Sequence, residues 1–130
     1  MTTLRHAARV LLSTGALLLS GLAQALTIQP YTPQALASAQ AAGQPVALHF
    51  HADWCPTCKQ QEKAFTQLQA EPGLDVLLLV ADYDKEKELR RGLKVRTQST
   101  LVVFRGAAEK ARLAGDTDAG KLRTALKSAL

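Results

Sequence analysis

Hydrophobic positions follow two rhythms along this chain. Residues 46–51 (Val-Ala-Leu-His-Phe-His) and 76–81 (Val-Leu-Leu-Leu-Val-Ala) are short runs with little polar interruption. Such runs read as buried strands, the second as a central strand covered on both faces. The first is bounded by Pro45 and the Asp53-Trp54 corner. Leu101–Phe104 reads as another strand, and after a turn at Arg105-Gly106-Ala107 the segment Lys110–Leu113 can pair back antiparallel. The second rhythm is helical. Thr32-Pro33 opens an Ala-rich helix to Ala42, with Thr32 as N-cap, Pro33 at the first helical position and Gly43 as the stop. A second helix starts near Cys55-Pro56, carries Phe65 and Leu68 on one face and ends by Glu71-Pro72-Gly73. Asp84 is placed to cap a charged helix ending at Gly92, with Glu86 and Arg90 an i,i+4 pair. Asp116 or Thr117 is placed to cap a last helix in which Leu122, Leu126 and Leu130 recur every four residues. The predicted order is (β)αβαβαββα, an α/β domain with a central mixed sheet and helices on both faces.

The N-terminus follows neither rhythm. Arg5, His6 and Arg9 precede an apolar run from Val10 to Leu22, then Ala23-Gln24-Ala25. Basic, apolar, then small-x-small is the pattern of a secretory signal peptide, here residues 1–25, leaving one domain over 26–130. The apolar run is about 13 residues against the roughly 20 of a spanning helix. Export to the periplasm or an equivalent compartment is expected, with no stable membrane anchor after cleavage. Arg5 and Arg9 leave with the segment, so the formal charge of +5 falls by two. With 5% aromatic residues and no basic run interleaved with them, nucleic acid is not an expected partner.

Export changes how the two cysteines read. Isolated thiols in an oxidising compartment tend to become disulfides. A bridge across C-x-x-C closes too short a loop to stabilise the fold much, so its chemistry is the better reason for it. Cys55 falls where a helix starts, and backbone N–H groups there favour a thiolate. Cys58 lies one turn in. Cys55 is expected to be the more exposed thiol and to attack a substrate disulfide, and Cys58 to resolve the mixed disulfide. Pro56 presets φ for the first turn.

A C-x-x-C that joins a strand to a helix within a βαβ pattern is a strong signal. From about Val46 onward the chain resembles the thioredoxin family. PVALHFHADWCPTCK is similar to its central strand and active-site turn, VRTQSTLVVFRG to the segment facing that turn, and Gly115 to the glycine before its last helix. The A-D-W-C form with export resembles most the C-terminal periplasmic domain of the DsbD disulfide reductases. Pro-Thr between the cysteines also occurs in the cytochrome-c-maturation thioredoxins, which usually carry an insert for which this chain has no room. The resemblance implies a thioredoxin fold and an exported thiol–disulfide oxidoreductase, a reductase rather than an oxidase. It implies no cofactor beyond the redox-active Cys55–Cys58 pair, protein disulfides or dithiols as substrates, and a membrane-bound thiol–disulfide electron donor. Trp54, Pro56, Ser99 and Thr100 would line the substrate groove.

Two departures matter. Where the family has a cis-proline this chain has Ser99, expected to follow a trans peptide and to leave the sulfurs less shielded. Where the family has a buried Asp below the second cysteine this chain has His49, whose imidazole could take the proton of Cys58. His49 and His51 also share one face of their strand. With Cys55 and Cys58 they make a Cys2His2 set acceptable to zinc or copper(I), which keeps a metal carrier as the second reading. The spacing H-x-H-x3-C-x2-C is not a recognised zinc-finger spacing, so the expected resident metal is none. His51 is expected near Trp54 at the mouth of the site.

Overall fold

The computed structural model describes residues 25–130. The segment read as a signal peptide lies outside the described residues, Ala25 apart. The elements are β1 (Thr27–Pro30), α1 (Pro33–Ala41), β2 (Pro45–His51), α2 (Pro56–Leu68), β3 (Leu77–Asp82), α3 (Lys87–Leu93), β4 (Thr100–Arg105), β5 (Ala108–Ala114) and α4 (Ala119–Lys127). They form one five-stranded sheet in the order β1-β3-β2-β4-β5. β3 is parallel to both β1 and β2, whereas β4 runs antiparallel to β2 and to β5. The mixed sheet is the one that the alternation of strands and helices predicts, and its topology is the thioredoxin fold that the resemblance implies.

Period-two alternation sorts the side chains of the sheet. Val46, Leu48, Phe50, Leu79, Ala81, Val102 and Phe104 pack to one side with α1 and α3. Ala47, Leu78, Leu101 and Val103 pack to the other with Phe65 and Leu68 of α2 and Leu122 and Leu126 of α4. Each fully buried Leu or Phe contributes about 1.5–3 kcal/mol by leaving water. His49 and His51 alternate with Val46, Leu48 and Phe50, so they lie on the α2 side.

Two helix starts differ from expectation. α3 begins three residues after Asp84, with Glu86 as N-cap and no side-chain cap bond. Asp82 is responsible: its Oδ1 accepts the N–H groups of Asp84 and Lys85 at 3.0 and 3.1 Å, turning the chain before a helix can form. The Glu86–Arg90 pair is replaced by Arg90 stacked over the Tyr83 ring at 3.9 Å and an Arg91–Glu88 pair at 2.7 Å. α4 is capped by Asp118, whose Oδ1 accepts from Lys121 N–H at 2.8 Å, and not by Asp116 or Thr117. Asp116 instead accepts the Asp118 N–H, two residues too early to cap.

Candidate active site

The site is built where β2 ends and α2 begins. Cys55 N–H donates to Ala52 C=O at 3.0 Å, closing a turn that leaves Cys55 as the N-cap of α2 with Pro56 first in the helix. Helix starts leave orphan N–H groups, and the Cys55 sulfur meets one of them, Cys58 N–H, at 3.1 Å. Both cysteines are free thiols. Cys58 Sγ faces Phe50 C=O at 3.9 Å.

The contrast in exposure expected between the thiols is absent. Cys55 is 1% exposed and Cys58 is fully covered. Cys55 is nonetheless one layer below the surface, since Asp53, Trp54 and Pro56 on either side of it are exposed. The cover comes from residues distant in sequence. Tyr83, in the turn after β3, packs against Ala52, Cys55 and Cys58. Its hydroxyl donates to Arg96 C=O at 2.9 Å. Trp54, 59% exposed, donates its indole N–H to Asp84 at 2.7 Å, so the carboxylate expected to cap a helix anchors the rim of the site.

Ser99 covers the sulfurs where less shielding was expected. Its hydroxyl lies 3.1 Å from both Sγ atoms. The hydroxyl has one proton to donate and stands within reach of either sulfur, so it can support a thiolate on whichever one ionises. The residue is buried and takes φ +62°, a left-handed conformation uncommon outside glycine. Tertiary bonds impose it. Ser99 N–H donates to Phe50 C=O at 2.9 Å, and Ser99 C=O accepts from Gly115 N–H at 3.0 Å and from the Gln61 side chain at 2.9 Å. Gly115, at φ +73°, supplies its amide from a conformation that glycine adopts freely. No cis peptide occurs among the described residues.

The thiols are held apart in acidity. Burial pushes Cys55 up, but hydrogen bonds from the Cys58 thiol, the Ser99 hydroxyl and the backbone amides of Cys58 and Thr57 outweigh it and hold Cys55 below an ordinary thiol. Burial and the bond donated to Cys55 push Cys58 up, over the opposing help of Ser99. The two thiols are therefore unequal, with Cys55 the more readily ionised of the pair.

Beneath them lies a polar network that sequence reasoning missed. Gln61, on α2, is fully buried, and its amide nitrogen donates to Ser99 C=O and to Asp116 C=O at 2.7 Å. Both amide protons are thereby used, so Gln61 Oε1 must accept from His49 Nε2–H at 2.8 Å. That fixes the His49 tautomer and leaves Nδ1 with the lone pair. Burial, ahead of the opposing Gln61 bond and the neighbouring His51, lowers His49 to about 4, so the ring is neutral at pH 7. Its edge also packs on Phe65, with centroids 5.0 Å apart. The only sequence signal for Gln61 was its place one turn after Cys58.

The residues singled out as a metal set are partly brought together. His49, His51 and Cys58 present ligand atoms within 4.8 Å of one another, without Cys55. His51 lies beside Asp53, at 3.4 Å, and 16% of its side chain is exposed. Thr100 is buried, and its hydroxyl donates to Thr97 C=O at 2.7 Å. Pro56 is exposed at the head of α2.

Comparison with known proteins agrees with this geometry. Residues 29–128 match the family model for thioredoxin. The chain is 34% identical over 70 residues to thioredoxin-1 of Drosophila melanogaster, covering 54% of this chain and 65% of that protein. It is 47% identical over 51 residues to the thiol:disulfide interchange protein DsbD of Ralstonia nicotianae, covering 38% of this chain but 8% of that much longer protein. The crystal structure of Trxlp from Edwardsiella tarda superposes with a TM-score of 0.72 at 34% identity, covering 77% of this chain and 98% of that one. The chain thus belongs to the thioredoxin family of thiol–disulfide oxidoreductases, which work through redox-active cysteines, and it carries its own Cys-x-x-C pair at Cys55 and Cys58.

Proposed function

We propose that this chain is an exported protein disulfide reductase in which Cys55 is the nucleophile and Cys58 the resolving thiol. The observation that carries the reading is the Cys55 sulfur at the N-cap of α2, 3.1 Å from Cys58 N–H and from the Ser99 hydroxyl. Donors so placed stabilise a thiolate, the attacking species in disulfide exchange. The Cys55 thiolate attacks one sulfur of a substrate disulfide. A Cys55–substrate disulfide forms, and the other substrate sulfur leaves as a thiolate that takes up a proton. Cys58 then gives up its proton and attacks Cys55. The Cys55–Cys58 bond forms, and the second substrate sulfur leaves and is protonated. Two electrons and two protons pass to the substrate.

His49 is the proposed acceptor for the Cys58 proton. The ring is neutral, has Nδ1 free and belongs to the cluster with Cys58. Its low basicity means that the proton passes on to the leaving substrate thiolate and does not rest on the ring. Trp54, Pro56 and the Ser99-Thr100 backbone are the proposed docking surface, reached when the Tyr83 and Trp54 cover shifts. Export is supported by the order of residues 5–25, and the reductase direction by the resemblance to exported reductases. A membrane thiol–disulfide relay is the proposed donor.

Turnover of a test disulfide should vanish in Cys55→Ser. In Cys58→Ser it should stall as a mixed disulfide visible by mass spectrometry. Titration against glutathione buffers decides direction: a potential near about −270 mV marks a reductase and one near about −120 mV an oxidase. N-terminal sequencing of the protein from the exported fraction should begin at Leu26. Turnover that survives Cys55→Ser would sink the assignment.

A further inference from the structure

We propose that the reduced protein binds one thiolate-seeking d10 cation, with Zn2+ as the working case, through His49, His51 and the Cys58 sulfur, and that the bound ion withdraws Cys58 from disulfide exchange. The second half rests on the reading of Cys58 as the resolving thiol.

The donor set is the first support. Two imidazoles and one thiolate are ligands that zinc prefers, and strand alternation places both imidazoles on the face where α2 presents Cys58. The ligand atoms lie within 4.8 Å of one another, whereas zinc bonds of 2.0–2.3 Å at tetrahedral angles bring such atoms to about 3.5 Å. The missing ångström lies within the reach of His51, which ends its strand partly exposed. The second support is the orientation of His49. A ligating histidine usually donates its other N–H to a carbonyl or carboxylate, which fixes the tautomer and makes the ligand more basic. Gln61 Oε1 already accepts from Nε2–H, with its amide nitrogen tied to two backbone carbonyls, leaving Nδ1 as the donor atom. The third support is space. Both histidines line a cavity of about 290 Å3 between α2 and the sheet, walled by Phe65, Leu78 and Val80, with Glu62 on its rim. The two histidines open on this cavity while Cys58 stays buried behind them, and the cavity leaves room at a fourth position for water or an exchanging ligand.

Cys55 is outside this set, which separates it from simple chelation by a C-x-x-C pair. Binding exchanges the Cys58 proton for the ion, forming a sulfur–zinc bond and releasing one H+, with no change of oxidation state. Oxidation of the pair by a substrate disulfide makes the Cys55–Cys58 bond, sends two electrons to the substrate and leaves no thiolate to hold the ion. Metal binding is therefore confined to the reduced form.

The test uses the full reduced chain under anaerobic conditions, with Zn2+ titrated against a chromophoric chelator and folding checked by circular dichroism. One Zn2+ per chain is expected. Affinity should fall at least tenfold in Cys58→Ser and in His51→Asn, less than threefold in Cys55→Ser, and disappear in the oxidised protein. In the exchange assay, inhibition of His51→Asn should need at least tenfold more Zn2+ than inhibition of the unaltered chain. Two results would overturn the proposal: no stoichiometric Zn2+ in the folded, reduced chain, or a His51→Asn variant that binds as tightly as the unaltered chain while Cys55→Ser fails. Absence of metal-free turnover would sink the exchange reading instead and leave the titration interpretable.

Discussion

The two faces of β2 are one residue apart in sequence and opposite in chemistry. Val46, Leu48 and Phe50 point toward α1 and α3 into an apolar cluster, and the strands add one buried polar side chain to this face, Thr100 opposite Phe50 at the site end. Ala47, His49 and His51 point toward α2, and polarity rises toward the end of the strand where the cysteines wait. On the α1 face little has to be paired, since Thr100 bonds back to Thr97 C=O within its own loop, so packing dominates stability. On the α2 face every buried polar atom needs a partner, and the partners come from α2, the loop before β4 and the loop before α4. The first face holds the fold, and the second spends part of that stability on geometry.

The largest expected effect tests the apolar face. Phe50→Ala removes a fully buried ring from between the sheet and its helices and should cost about 3–5 kcal/mol in denaturant unfolding. A loss under about 1 kcal/mol would mean that this face does not carry the stability ascribed to it.

The next effect belongs to His49. Its folded-state value of about 4 lies below the ordinary 6.5, so between those values the unfolded chain takes up a proton that the folded chain refuses. Stability from the neutral ring is complete above about pH 6.5 and is lost as pH falls through 4, by about 3 kcal/mol in all. The titratable or charged neighbours are His51 on the same strand and Cys58 and Glu62 on α2. In chelator-treated buffer, the chain should lose about that much more between pH 7 and 4.5 than His49→Leu does. Equal losses would show that the ring has an escape to water.

Gln61 comes third. Gln61→Leu leaves Asp116 C=O and His49 Nε2–H without their partner, while Ser99 C=O keeps the Gly115 amide. The expected cost is roughly 2 kcal/mol. Disulfide exchange should slow as well, because Ser99 loses one of the bonds that fix it. A stability loss with unchanged exchange would make Gln61 structural only.

The same contrast explains what could be read in advance. The buried strands and the order of elements along the chain were legible, because unbroken runs such as residues 76–81 admit few other readings. The cysteine turn was legible for a local reason: N-cap, Pro at the first position and the return of Cys58 after one turn all lie within four residues. The cover of Cys55 was not, since Tyr83 and Asp84 sit about 30 residues away and nothing in a charged segment marks a tyrosine as a lid or an aspartate as a tryptophan's partner. Gln61 looked like one more polar position on an amphipathic helix. Its burial follows only from where the carbonyls of Ser99 and Asp116 come to rest. Ser99 was visible as a departure from the family pattern, but its left-handed backbone and its grip on both sulfurs are properties of the assembled loops.

The smallest expected effect is the sharpest test of the polar face, because it changes one hydroxyl and no backbone. Ser99→Ala keeps the amide bonds to Phe50, Gly115 and Gln61 and removes the contact to both sulfurs. The Cys55 thiolate then loses one of its donors, so its acid–base midpoint rises toward that of an ordinary thiol. A hydrogen bond of about 1 kcal/mol corresponds to roughly a fivefold drop in thiolate below the midpoint, and the alkylation rate of Cys55 on the rising limb of its pH profile should fall by that factor. Ser99→Gly, which also relaxes the backbone at φ +62°, should show the same slowing with less loss of stability. An unchanged rate in both variants would assign the acidity of Cys55 to the start of α2 alone. The serine would then be a filler in the place where the family keeps its proline.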